Sequence, residues 1–199
     1  MHDREQPNGP AEHARPVRWA GFGPRSVDGG LDEVPVLPRP RSSESGSGGS
    51  GSIWLCGKHV VGPDPEAALV RARGAGLIVC LNQRHELADR YPQYLDWLRA
   101  ESGRRALWLP IPDLHAPTIE EVRPVVDRIV RALPSGVVIH CGAGIGRAPT
   151  VAICVLLTVG YPLDAALHLV AERRPMAGPE SGTQRTLVEA FATDAPTGR

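Results

Sequence analysis

Lysine is nearly missing from this 199-residue chain: it occurs once, at Lys58, and every other basic side chain is an arginine with a fixed planar fork of donors. Aromatic residues make up only 5%. The four cysteines, at 56, 80, 141 and 154, form no C-x-x-C pair, which speaks against a zinc finger and against a disulfide scaffold. Net charge is also absent, with 22 basic residues against 22 acidic ones. A basic nucleic-acid binder and an acidic solvating tail are therefore both poor fits. The polar N-terminus has no signal-peptide core, and the longest apolar run, residues 151–159, is far too short for a membrane span. The expectation is a protein of the reducing cytoplasm with no nucleic-acid or membrane partner. Its oligomeric state is not legible.

What is plentiful is glycine and proline, and they are unevenly placed. Residues 1–52 hold 16 of the 42, and 42–52 (SSESGSGGSGS) read as flexible coil. Val34 to Leu37 could pair with Ile53 to Cys56, which would make 38–52 a surface excursion inside the domain. Pro35 and Pro38 would confine such a strand to a sheet edge. The folded unit is expected over 31–196 with a flexible loop at 39–52. Residues 1–30 are expected to be disordered, with Trp19 and Phe22 as docking candidates.

From Ile53 onward strands and helices alternate. Asp64-Pro65 opens a helix that ends at Gly74 and Gly76. Residues 77–80 read as a buried strand, 86–101 as a helix interrupted by Pro92, and 106–109 as a second strand. Thr118 to Glu121 is a capping box opening a helix to Leu133. Residues 136–140 read as the third buried strand, 148–159 as an all-round apolar central helix, and 163–173 and 183–193 as two further helices. This order predicts an α/β fold: a central mixed, mostly parallel sheet flanked by helices, with a glycine-rich loop between a buried strand and a central helix.

That loop is the informative segment. After the strand come His140, Cys141, Gly142, Ala143, Gly144, Ile145, Gly146 and Arg147. Glycines let successive N–H groups turn inward as a nest at a helix N-terminus, which suits a tetrahedral oxyanion. The same donors, with Arg147, would stabilise a Cys141 thiolate and make it a nucleophile. Arg147 can grip two phosphate oxygens with one planar fork. Neither a full dinucleotide G-x-G-x-x-G nor a Walker A lysine is present.

On these residues the chain resembles the cysteine-dependent protein tyrosine phosphatase superfamily, specifically its dual-specificity branch, whose motif is H-C-x-x-G-x-x-R. The resemblance implies a phosphocysteine intermediate and neither metal nor cofactor. Pro110-Ile-Pro-Asp113, 28 residues before Cys141, looks like the loop that carries the family's general acid, which assigns that role to Asp113. The plainer alternative is a turn carboxylate capping the helix at 118. By the same resemblance His140 hydrogen-bonds the loop backbone. One departure stands out: Ala148 occupies a position where the family usually has Ser or Thr, whose hydroxyl helps the sulfur depart. Turnover is therefore expected to be slow, and Thr150, one turn on, is not expected to substitute.

Several residues carry two readings. Gln184 could contact substrate or position water, as in some family members, or sit solvated in a first helical turn. Arg84, His85 and Glu86 could wall the pocket, although an exposed charge run is the preferred reading. His115 could line the pocket or face water. Arg173 and Arg174 suit a helix C-terminus and need no further role. Cys80 could form a disulfide with an oxidised Cys141, although a small buried hydrophobe is preferred. The uncharged Ala143, Ile145 and Gly146 lack the lysines of polyphosphate specialists. The expected substrate is thus a single phosphate on a protein side chain: phosphotyrosine, with phosphoserine and phosphothreonine. A catalytically weak phosphate-binding module, or a phosphatase for a non-protein ester, are the alternatives.

Overall fold

The structure, a computed structural model, describes residues 30–37, 50–180 and 182–194. The expectations for residues 1–29, including Trp19 and Phe22, and for most of the loop at 39–52 lie outside the described residues.

Five strands form one sheet: β1 (Asp32–Val36), β2 (Gly51–Gly57), β3 (Leu77–Cys80), β4 (Ala106–Trp108) and β5 (Val137–Cys141), in the order β1-β2-β5-β3-β4. The pairs β2–β5, β5–β3 and β3–β4 are parallel, and only β1–β2 is antiparallel. The expected pairing is present, with Val34 opposite Ile53. The segment between β1 and β2 thus joins two strands of one sheet. Pro35 sits on the edge strand, where a missing N–H donor costs no ladder bond.

Four helices cover one face of the sheet: α1 (Lys58–Val61), α2 (Pro65–Arg71), α3 (His85–Ala88) and α4 (Pro92–Ala100). The other face carries α5 (Ile119–Ala132), α6 (Arg147–Thr158), α7 (Leu163–Arg173) and α8 (Gly182–Asp194). The caps explain where these helices begin. Asp64 accepts from the Ala67 N–H with Pro65 at the first position. Thr118 and Glu121 satisfy each other reciprocally. Pro92 starts a new helix instead of kinking the old one, because a first-turn N–H has no partner to lose. The short α1 had no sequence signal, being a single turn.

β5 is buried along its whole length, and so is α6 from Arg147 to Leu157. The alternation of β5 sends Val137, Ile139 and Cys141 into the core under α6, and Val138 to the opposite face. Truncating a leucine in such a core typically costs about 2–5 kcal/mol, so the end of β5 and the start of α6 are held by the best-packed part of the molecule. Cys80 lies opposite His140 in the β3–β5 register and packs among the residues of the Val138 face. Its side chain therefore leaves the sheet on the side away from Cys141. All four cysteines are free, and burial pushes the Cys56, Cys80 and Cys154 thiols up to about 12.

Candidate active site

The loop between β5 and α6 is shaped by where its carbonyls go. Gly142 O accepts from the Lys58 N–H at 3.1 Å, and Ile145 O from the Gly178 N–H at 2.9 Å. Ala143 O and Gly144 O both accept from Arg174, through Nη2 at 2.8 Å and Nε at 2.7 Å. Gly146 O accepts from the Thr150 N–H and hydroxyl. Every carbonyl from 142 to 146 is thus turned outward and paired. The N–H groups are left facing the hollow, where those of Ala143, Ile145 and Gly146 have no acceptor among the described residues. An inward row of donors at a helix N-terminus is an arrangement that suits an anion. Gly144, at φ +76°, must be glycine, because a Cβ there would collide with the Cys56 carbonyl.

Cys141 stands at the base of this hollow, 3% exposed, its Sγ accepting from the Gly144 N–H at 3.3 Å. Arg147 opens α6 and is equally buried. Glu86 takes both ends of its guanidinium, Nη1 at 2.7 Å and Nη2 at 2.9 Å. Nη1 also donates to Ile111 O at 2.8 Å, and Nη2 lies 3.1 Å from Asp113 Oδ1. Three of its five N–H donors are thereby hydrogen-bonded, Asp113 lies against Nη2 as an ion pair, and Nε has no acceptor among the described residues.

Glu86 corrects the sequence reading, which preferred an exposed charge run. Its side chain is 15% exposed, and it also accepts from Asn82 Nδ2 and the Gln83 N–H. Burial alone would raise its carboxyl, but the hydrogen bonds from Arg147 and Gln83, the Arg147 charge and the Asn82 amide together hold it down at about 2. Lys58, the single lysine, donates from Nζ to the Glu86 carbonyl.

Arg174 is the second correction. Expected to need no role beyond the helix dipole, it is 3% exposed and holds two carbonyls of the β5–α6 loop on one side. On the other side its Nη1 donates to Gly30 O and to Asp32 Oδ2. Nothing in the arginine pair distinguished it from Arg173.

Asp113 arrives by backbone pairing. Leu109 donates to Cys80 O and Ile111 to Leu81 O, so the segment after β4 runs on beside β3. The Asp113 side chain is 74% exposed and reaches Arg147. It does not cap α5, since Thr118 does. His115 is exposed, and its Nδ1 meets the Asp113 carbonyl at 2.7 Å.

Gln184 is fully buried, not solvated. Its Oε1 accepts from the Glu180 N–H at 2.8 Å and from Thr150 Oγ1 at 3.4 Å, while Nε2 donates to His115 O at 3.3 Å. It joins α8 to the Asp113 loop. Thr150 spends its hydroxyl on Gly146 O and Gln184 and, as expected, does not substitute at the sulfur. His140 Nε2 meets the Tyr94 hydroxyl at 2.5 Å, a partner on α4 that the sequence did not suggest. Burial above all, with the Arg147 charge, pushes it down to about 3 against the pull of the Cys141 backbone, so the ring is neutral.

Glu180 had no prior assignment. Its carboxylate packs over Gly146, where a Cβ would strike it. Burial and the neighbouring Asp113 charge raise its pKa against the pull of Arg147. The only sequence cue was its place one helical turn before Gln184.

Comparison with known proteins points one way. A family model described as "PTP-SAK: Swiss Army Knife protein, DSP-PTPase phosphatase domain" matches residues 64–189. Human dual specificity protein phosphatase 5 is 33% identical over 86 residues, which is 41% of this chain and 22% of that protein, so the chain matches only about a fifth of that relative's length. Among solved structures, kinase associated phosphatase with its catalytic-site cysteine changed to serine superposes with a TM-score of 0.61 at 24% identity, covering 76% of this chain and 91% of the other. PTPMT1 in complex with PI(5)P superposes with a TM-score of 0.57 at 18% identity, covering 72% and 91%. At these identities the two structures speak for the fold.

Proposed function

The chain belongs to the cysteine-dependent protein tyrosine phosphatase superfamily, in its dual-specificity-like branch, and from that premise we propose that it hydrolyses phosphate monoesters on proteins through Cys141. The catalytic unit spans 31–196. The substrate phosphate sits in the hollow, its non-bridging oxygens on the inward N–H groups and on Arg147. Cys141 Sγ attacks phosphorus. The S–P bond forms, the P–O bond to the side chain breaks, and protonated Asp113 gives the departing oxygen its proton. In the second step the Asp113 carboxylate takes a proton from water. That water attacks phosphorus, the S–P bond breaks and inorganic phosphate leaves. Phosphotyrosine is the first substrate, with phosphoserine and phosphothreonine accepted as well, in the cytoplasm and without metal or cofactor.

One observation carries the proposal: all five loop carbonyls are locked outward around Cys141, which pre-pays the orientation of an oxyanion site. Arg147 fits the role only if Asp113 gives up its contact. Phosphate binding through Nε and Nη2 would release the carboxylate beside the leaving group, where an acid is needed. The test is hydrolysis of p-nitrophenyl phosphate. Wild type turns over, Cys141→Ser is inactive and Asp113→Asn is slowed; full activity in Cys141→Ser refutes the mechanism.

A second reading has its own support. Ala148 supplies no hydroxyl to Sγ, whose one hydrogen-bond donor among the described residues is the Gly144 N–H. A chain that binds phosphate but barely turns over would show saturable vanadate or phosphate binding without p-nitrophenol release. Action on a non-protein ester, as the PI(5)P bound to PTPMT1 brings to mind, would show as preference for that ester over phosphopeptides.

A further inference from the structure

Beside the catalytic hollow lies a cleft of about 670 Å³ that the reaction above does not use. Gln83, Arg84, His85 and Ala88 form one wall, and Trp108 and Pro110 the other. Its size is within the roughly 300–1,000 Å³ typical of ligand sites. It adjoins the phosphate site through chain neighbours. His85 and Pro110 are each one residue from a group bonded to Arg147, Glu86 on one wall and Ile111 on the other.

The chemistry of the walls is one-sided. The Trp108 indole N–H is spent on Asn82 O at 2.8 Å, so the ring is left as an apolar surface with Ala88 and Pro110. Glu86, the acid within the run, is turned inward and neutralised by Arg147. Arg84 and His85 are exposed, and their side chains have no ion pair or hydrogen bond among the described residues. An unpaired guanidinium at the lip of an apolar slot, in a chain of zero net charge, is local complementarity for an anion carried on an extended apolar-compatible segment.

We propose that this cleft is a specificity subsite for the peptide flanking the phosphorylated residue. The main chain and an apolar side chain lie along Trp108 and Pro110, and an acidic side chain pairs with Arg84. The proposal rests on the phosphoprotein reading above and names its preferred substrate class: phosphopeptides with Asp or Glu beside the phosphorylated residue.

The test compares kcat/KM for matched phosphopeptides with Glu or Gln at flanking positions, in wild type, Arg84→Glu and Trp108→Ala, with p-nitrophenyl phosphate as the control that has no flanking peptide. Wild type prefers the acidic peptide by about tenfold, the worth of one good charge pair. Arg84→Glu removes or reverses that preference mainly through KM. Trp108→Ala weakens both peptides, and p-nitrophenyl phosphate turnover stays within about twofold of wild type. Equal use of both peptides by wild type overturns the subsite. So does an Arg84→Glu loss that falls equally on p-nitrophenyl phosphate. If vesicles carrying a phosphatidylinositol monophosphate are the better substrate and Arg84→Glu abolishes that preference, the cleft serves a lipid headgroup and the peptide proposal is wrong. Failure of the phosphatase reading itself is distinguishable. No turnover of p-nitrophenyl phosphate would accompany it, while the Glu/Gln preference would still be read as peptide affinity for Cys141→Ser.

Discussion

Arg174 donates from Nε to the Gly144 carbonyl at 2.7 Å, reaching from the end of α7 into the middle of the loop that surrounds Cys141. With the neighbouring bond to Ala143 O, one buried guanidinium fixes two consecutive peptide planes so that their far sides face the hollow. Its charge is balanced by Asp32 at the start of β1.

Arg174→Met should therefore cost more than stability. Misplacing donors by about 1 Å is worth roughly a hundredfold in rate, and that is the expected fall in kcat/KM for p-nitrophenyl phosphate. Arg174→Lys should recover little, because an ammonium cannot span both carbonyls and Asp32. Thermal melting run alongside separates this from unfolding: a folded, slow Arg174→Lys protein is the predicted outcome.

The exposed Asp113 carboxylate predicts a leaving-group signature. Asp113→Asn should slow hydrolysis of an alkyl phosphate by about 10²–10⁴, the usual worth of a general acid. The same change should slow p-nitrophenyl phosphate far less, since that leaving group needs little proton. A series of aryl phosphates gives the Brønsted slope, which should steepen in the variant.

Ala148 predicts that breakdown of the intermediate limits turnover. Stopped-flow mixing with p-nitrophenyl phosphate should show a burst. Ala148→Ser should raise kcat by up to about tenfold, the worth of one hydrogen bond to developing charge. No burst and no gain would remove this step as the limit.

Glu86 and His140 predict loss of stability in acid. Both pKa values are depressed in the folded state, Glu86 from 4.5 to about 2 and His140 from 6.5 to about 3. The unfolded chain thus binds more protons than the folded one, and stability falls as pH falls. The His140 contribution is complete above pH 6.5 and drains away toward pH 3, and that of Glu86 is lost between 4.5 and 2. Urea midpoints measured from pH 7 to pH 4 should decline, and His140→Gln should flatten the decline between pH 6.5 and 5.

Two strand adjacencies, the edge strand and the glycine-rich loop were legible in the sequence, mostly from local signals. These are Pro35 on an edge, the caps at Asp64 and Thr118, and glycines between a buried strand and an apolar helix. Cys141 and Arg147 were singled out by the glycine-rich loop and the family motif, and Asp113 by its resemblance to the family's acid loop. The supporting groups were not. Glu86, Arg174, Glu180 and Tyr94 reach the site from α3, the end of α7, the loop before α8, and α4. Their roles depend on which faces of separate elements meet, and a charged residue that ends up buried looks no different in sequence from one in water. Gln184 was half legible: its neighbourhood was right, but burial made it a tether between α8 and the acid loop.

The most direct measurement is acid quenching of the enzyme during turnover of a phosphopeptide, followed by peptide mapping in a mass spectrometer. Phosphate on Cys141 in wild type, in larger amount than in Ala148→Ser and absent from Cys141→Ser, is the predicted result. Turnover with no phosphate on Cys141, or with phosphate on another residue, would contradict it.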